Sequence, residues 1–233
     1  MIRRSLSAAV LALLLPVLLV LSGCSGGDSG GGGSSSPTQV LAGAKKQIDE
    51  TKGLELKLST KSLPKNVDGV LEASGIGTHQ PGFDGDLKML VNNVTIDVPV
   101  VAVDGKVYAK LPFTSSFAEV NPNDYGAPDP ADLMNPDTGL SSWLTATKNV
   151  KEGGKSRFGD QVLTTYTGTI PGTAVAGTIP SADGGADFAA TYHIDDKGKL
   201  VDAEVKGPFY GSGDVDYSIA LSGYGTEKVV TKP

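Results

Sequence analysis

The sequence predicts an α+β fold built on one large, curved antiparallel sheet. Three observations carry this. Apolar and polar residues alternate across Phe83 to Leu111: Phe83, Gly85, Leu87, Met89 and Val91, then Val94, Ile96, Val98 and Val100, then Val107, Ala109 and Leu111. Period-two alternation marks strands with one wet and one apolar face. Asp104-Gly105 between two such runs signals a type I′ hairpin. Strand follows strand, about ten in all, through connections too short for helical crossovers, so the sheet is antiparallel. Such a sheet twists and curls, leaving its few helices the concave side. Helices that fill the hollow incompletely would leave a cavity; helices that fill it would make a packed core.

The start of the chain is a targeting segment by pattern. Arg3-Arg4 precede an apolar run from Ala8 to Leu21 that is short for a bilayer span. Leu21-Ser22-Gly23-Cys24 has the form of a lipobox, and Cys24, the one cysteine, is the expected site of lipidation. Residues 1–23 are read as a lipoprotein signal peptide and residues 24–37 as the lipidated cysteine with a Gly/Ser tether. Residues 38–233 are read as a single domain. The thirteen residues Ser25 to Pro37 would have a mean reach of roughly 20 Å and a stretched length of about 45 Å. Removing Met1–Gly23 from 233 residues leaves 210. The removed piece holds Arg3 and Arg4 but no acid, so 18 Lys+Arg face 26 Asp+Glu, a net charge of −8. That balance excludes a nucleic-acid partner and opposes adhesion to anionic lipid heads.

Thr38 after Pro37 is an N-cap candidate for an amphipathic helix with Val40, Leu41, Ala44 and Ile48 on one face. Leu54, Leu56 and Leu58 alternate as a strand, Val67 to Ser74 is a second, and Gly75 to Gly82 reads as a turn. Prolines at 112, 122, 128, 130 and 136 preclude a continuous element there. Asp129-Pro130 reads as cap and first turn of a short helix through Met134. Asp137 or Thr138 would cap another, with Leu140, Trp143 and Leu144 inward. Met134 and Trp143 are candidates both for core packing and for a pocket wall. Strands follow over Val150–Arg157, Gln161–Ile170, Ala186–Asp195, Leu200–Lys206 and Val215–Leu221. A short helix is expected over Thr173–Ile179 and a last edge strand over Glu227–Thr231.

Catalytic chemistry is sparse. His79 and His193 are the two histidines, in a turn and on a strand's polar face, without metal-ligand spacing. There is no thiol besides Cys24. The pattern points away from an enzyme, and no cofactor is implied.

Three segments stand out: Val103-Asp104-Gly105-Lys106-Val107-Tyr108-Ala109-Lys110-Leu111, Asp129-Pro130-Ala131 through Asn135-Pro136-Asp137-Thr138-Gly139-Leu140, and the ending Glu227 to Pro233. Together they resemble the mycobacterial LppX/LprAFG lipoprotein family, most closely its LprG branch. The resemblance implies a half-barrel with helices on its concave face enclosing an apolar cavity. It implies a monomeric carrier, anchored to the outer face of the cytoplasmic membrane, for multiply acylated envelope lipids. These would be phosphatidylinositol mannosides, lipomannan, lipoarabinomannan or triacylglycerol, with a major-facilitator efflux pump as partner. It places Leu87 in the pocket lining. Alternation extends that lining to Met89, Val91, Ile96, Val98, Val100, Val107, Ala109 and Leu111, and the segment Pro112–Pro136 would form a movable rim. The rival expectation is a scaffolding envelope lipoprotein whose core is filled.

Overall fold

The structure is a computed structural model that describes residues 35–125, 127–211 and 213–233. Cys24 and the segments read as signal peptide and tether therefore lie outside the described residues, apart from Ser35–Pro37. The chain enters through α1 (Pro37–Glu50), and the helix starts earlier than Thr38. Pro37 suits the first helical position, where its missing N–H costs nothing, and this moves the cap to Ser36. Ser36 Oγ accepts from the Gln39 N–H at 3.3 Å, and Gln39 Oε1 accepts from the Ser36 N–H at 2.8 Å, a closed capping box. Leu41, Ala44 and Ile48 are buried, as their shared face predicts.

Two meanders follow. The first runs β1 (Gly53–Ser59), β2 (Gly69–Thr78), β3 (Gly82–Val91), β4 (Val94–Val103), β5 (Lys106–Ala109) and β6 (Ala118–Val120). A 3-10 turn over Pro130–Met134, capped by Asp129, and α2 (Ser142–Ala146) lead to the second meander. This is β7 (Lys148–Phe158), β8 (Gln161–Pro171), α3 (Gly172–Thr178), β9 (Asp187–Asp195), β10 (Leu200–Gly207) and β11 (Val215–Ser222). All adjacent strands are antiparallel, in the order β6-β5-β4-β3-β2-β1-β11-β10-β9-β8-β7. The meanders meet at one seam, where Leu56 pairs with Leu221 and Leu58 with Ile219.

The sheet must curl strongly. Eight strand spacings separate β6 from β9, about 38 Å if flat. Yet α3, seven residues long and packed on β8 and β9, lines one hollow together with Glu119 and Val120 of β6. The open half-barrel with helices on its inner side, expected from the sequence, is thus the observed fold.

Two hairpins set the register of the site. Asn92 and Asn93 have φ of 49° and 63°, and Asp104 and Gly105 have φ of 55° and 69°. Both are two-residue loops, between Val91 and Val94 and between Val103 and Lys106. Positive φ at both positions is the type I′ geometry that matches strand twist.

Three further expectations fail, and one strand was not foreseen. Gly75 to Thr78 is strand, not turn. Gly75 pairs with Gly85, and the Phe83 ring lies over both, so a Cβ at Gly75 would sit 2.5 Å from Phe83 Cζ. These glycines serve close approach rather than chain reversal. Asp137 and Thr138 do not cap a helix. Asn135 Oδ1 accepts from both their N–H groups, closing a turn, and α2 begins at Ser142. β6 was not expected. Finally, Glu227–Thr231 is not a strand. The tail leaves β11, whose two edges are already taken by β10 and β1, so no ladder is open to it. Side chains hold it instead: Glu227 pairs with Lys52, Lys228 Nζ lies 2.7 Å from Asp84, and Lys232 stands over the Tyr108 ring.

Candidate functional site: a divided apolar groove

The inner face of β3, β4 and β5 is continuous because its residues are directly paired. Leu87 faces Val98, Met89 faces Ile96, and Val100 faces Ala109. These six, with Val91, Val107 and Leu111, form the floor of a lobe of about 140 Å³. Every β3–β5 residue expected in a lining therefore lies in one lobe, and Leu111 does so from just beyond the end of β5. Its roof comes from Val120, Pro122, Tyr125, Ala127, Pro128 and Pro130.

A second lobe, of about 90 Å³, lies toward the seam. Leu56 and Leu58 of β1, Ala73 of β2 and Ile219 of β11 floor it, and Trp143 and Ile179 close its helical side. Both lobes share Leu87 below and Tyr125, Ala127, Pro128 and Pro130 above. Leu87 and this roof thus divide one groove in two. Among the described residues no charged side chain lines either lobe.

Trp143 is both wall and core. Its indole N–H donates to Thr178 Oγ1 at 2.8 Å, tying α2 to α3. Met134 lines neither lobe. It packs on Gly77, where a Cβ would lie 2.7 Å from its Cγ, and borders a separate core void of about 30 Å³ with Leu54 and Leu144.

The polar groups of the seam lobe are spent on the fold, with one exception. Tyr210 Oη accepts from the Val70 N–H at 3.1 Å, meets Tyr217 Oη at 2.8 Å, and Tyr217 donates to the Val70 carbonyl at 2.5 Å. This ring of hydrogen bonds closes over the bulge between Val70 and Glu72 in β2. Burial pushes the Tyr217 hydroxyl well above the usual phenol range, with the neighbouring Tyr210 adding to the shift. Ser181 Oγ is the exception: it is buried with no hydrogen-bond partner among the described residues.

The histidines are structural. The His79 ring Nε2–H donates to the Ile48 carbonyl at 2.8 Å, satisfying the C-terminal end of α1. His193 Nδ1 lies 2.6 Å from Asp202 Oδ1 across the β9–β10 ladder. Among the described residues no three His, Cys, Asp or Glu side chains gather to hold a metal.

Sequence reasoning expected Pro112–Pro136 as a rim without naming the residues that roof the groove, and it missed the β1 and β11 floor of the seam lobe. Proline density marked the segment as irregular but not where it crosses the sheet. Leu54, Leu56 and Leu58 announced a half-buried strand without showing that β11 would lie beside it.

A curled open sheet, roofed by short helices and turns over an uncharged groove, defines a protein organised around apolar interior space. The chain belongs to the LppX_LprAFG lipoprotein family, whose profile matches residues 36–231. It is a family of lipoproteins, not of enzymes. The chain is 27% identical to the lipoarabinomannan carrier protein LprG of Mycobacterium tuberculosis (strain ATCC 25618 / H37Rv), over 83% of each chain. The crystal structure of LprF from Mycobacterium bovis shares the fold with a TM-score of 0.72 at 18% identity, covering 87% of this chain and 99% of that one. The Mycobacterium tuberculosis lipoprotein LppX shares it with a TM-score of 0.60 at 17% identity, covering 84% and 98%.

Proposed function

We propose that this protein is a lipid carrier of the cell envelope, anchored to the outer face of the cytoplasmic membrane through Cys24. It would take multiply acylated glycolipids or triacylglycerol, with acyl chains in the groove and the head at its mouth. The observation that carries this reading is the uncharged, two-lobed groove in a family that includes a lipoarabinomannan carrier. The physics suits the task. Each methylene exposed to water costs about 0.8 kcal/mol, so three chains of fifteen would cost about 36 kcal/mol. Transfer from bilayer to apolar groove exchanges like for like and needs no catalytic group. In the proposal the protein acts as a monomer, and a membrane pump of the major-facilitator class is its partner.

The lobes hold about 140 and 90 Å³, below the roughly 300–1,000 Å³ of pockets that enclose drug-sized ligands. Loading therefore requires the roof to separate from Leu87 and merge the lobes. On this reading, hydrogen exchange across Ala127–Pro136 changes between lipid-free and loaded protein; equally slow exchange in both states would count against a moving roof. The small volumes also support a second reading, a scaffolding lipoprotein with an essentially filled core.

Lipid mass spectrometry on the full chain purified from an actinobacterial host separates the two. The carrier reading expects a stoichiometric, multiply acylated lipid in the native protein. It also expects Leu87→Trp, which fills the junction of the lobes, to stay folded and lose that lipid. Protein that is folded, carries no lipid and takes none from vesicles would establish the scaffold instead.

A further inference from the structure

Leu111, Pro112, Phe113 and Thr114 form a tight turn in which the Thr114 N–H donates to the Leu111 carbonyl at 3.1 Å. Pro112 takes the second position and Phe113, with φ of 66°, the third. This is the pattern of a type II turn, whose third position calls for Gly or Asn. A left-handed backbone costs an L-residue roughly 1–2 kcal/mol, and the Phe113 ring is fully exposed to water. The Thr114 hydroxyl donates to the Leu111 carbonyl at 2.7 Å, fastening the turn that displays the ring. Phe113 is thus unfavourable for backbone and solvent alike, and its ring is not covered by any of the described residues.

Its position supplies a reason. Leu111, two residues earlier, lines the β3–β5 lobe and is itself exposed. Val91 lines the same lobe, and Val94, across the Asn92-Asn93 turn, is 59% exposed. Tyr125, shared by both lobes, is exposed as well. The two segments carrying this rim, Met89–Ile96 and Leu111–Ala118, contain no charged residue, in a chain that is 20% charged overall.

We infer that this rim is a membrane-docking surface, and that Phe113 inserts into the interfacial layer of a lipid bilayer so that the groove opens onto it. The inference rests on the carrier reading for its purpose, while its geometry stands apart. A lipid surface fits better than a protein partner for two reasons. An acidic chain gains nothing electrostatically from lipid head groups, so its point of approach must be mainly uncharged and apolar, as these two segments are, with the Asp68 carboxylate held beside them on the Asn92 N–H at 2.8 Å. And a lipidated Cys24 would hold Ser35 within about 40 Å of the bilayer at full extension, so the rim would meet lipid continually.

The test uses the full chain, lipidated at Cys24 and reconstituted in vesicles of phosphatidylcholine and phosphatidylglycerol. Ser115→Cys carries a nitrobenzoxadiazole label, and lipidation leaves no second thiol to react. The expected result is a blue-shifted label quenched by lipids spin-labelled near the head group. The same label at Asp160→Cys, at the opposite end of the strands, should remain in water. Phe113→Asn keeps the backbone conformation and should abolish the quenching. It should also slow uptake of a fluorescent triacylglycerol about tenfold or more, the scale of one exposed aromatic. Phe113→Trp should retain both. A Ser115 label that stays in water while uptake is normal overturns the docking surface and leaves the carrier. A label that enters the bilayer with no uptake supports docking and overturns the carrier. A blue shift that needs no vesicles and grows with protein concentration overturns the inference in favour of a second copy.

Discussion

A methyl group added at Gly75 would meet the Phe83 ring at 2.5 Å and the Asp84 carbonyl at 2.7 Å. Gly75→Ala should therefore destabilise the protein by about 1–3 kcal/mol, the usual cost of overpacking, as read from a denaturant melt. Ser181 points the other way. Its buried hydroxyl has no partner among the described residues, so Ser181→Ala should raise the stability of the lipid-free protein by about 1 kcal/mol. Asp129 offers a pH test. Burial raises its pKa, while the hydrogen bond from the Ala131 N–H acts to lower it. The folded state then binds the proton more tightly than the unfolded state, so this residue's contribution to stability falls as pH rises through its folded value. Asn caps as well as Asp without the buried charge. Asp129→Asn should thus be the more stable protein at pH 7, with its advantage vanishing at acid pH. Melts at both pH values check this.

Among the elements, the hairpins were readable and the irregular pieces were not. Asn92-Asn93 and Asp104-Gly105 declare their turns locally, so Leu87, Met89, Ile96 and Val98 could be placed on one face from alternation alone. The roof could not be so placed, because proline density says where a chain is irregular and nothing about what it crosses. The tail misled for a related reason. Its β-branched residues suit a strand, but pairing also needs a free edge, and β11 has none. The tyrosine ring over the β2 bulge joins three segments that no local pattern connects. Tyr217→Phe would leave the Val70 carbonyl and the Tyr210 hydroxyl without their partner. It should cost about 1–3 kcal/mol, and exchange at the Val70 amide should quicken more than at amides of β4.

At the scale of the molecule, the antiparallel half-barrel followed from short connections and alternation, both properties of the chain taken in order. The division of the groove did not follow, because it depends on Leu87 meeting residues some forty positions later. Dividing the interior also lets an unfilled groove stay small while keeping an apolar floor for a guest.

The seam between β1 and β11 bears on how the protein is made. Each meander consists of strands adjacent in sequence, with α3 interposed between β8 and β9, and each can assemble from local contacts. The seam alone pairs Leu56 with Leu221 and Leu58 with Ile219, the first strand with the last. Loop closure over such a separation is slow compared with hairpin formation. β1 must therefore wait, one edge unpaired, until the final strand has been synthesised. Pulsed hydrogen exchange during refolding should show β3–β4 and β9–β10 protected before β1–β11. A chain shortened by its last strand should leave two half-sheets with an open edge at the centre of the molecule, where a chaperone would have its reason to bind.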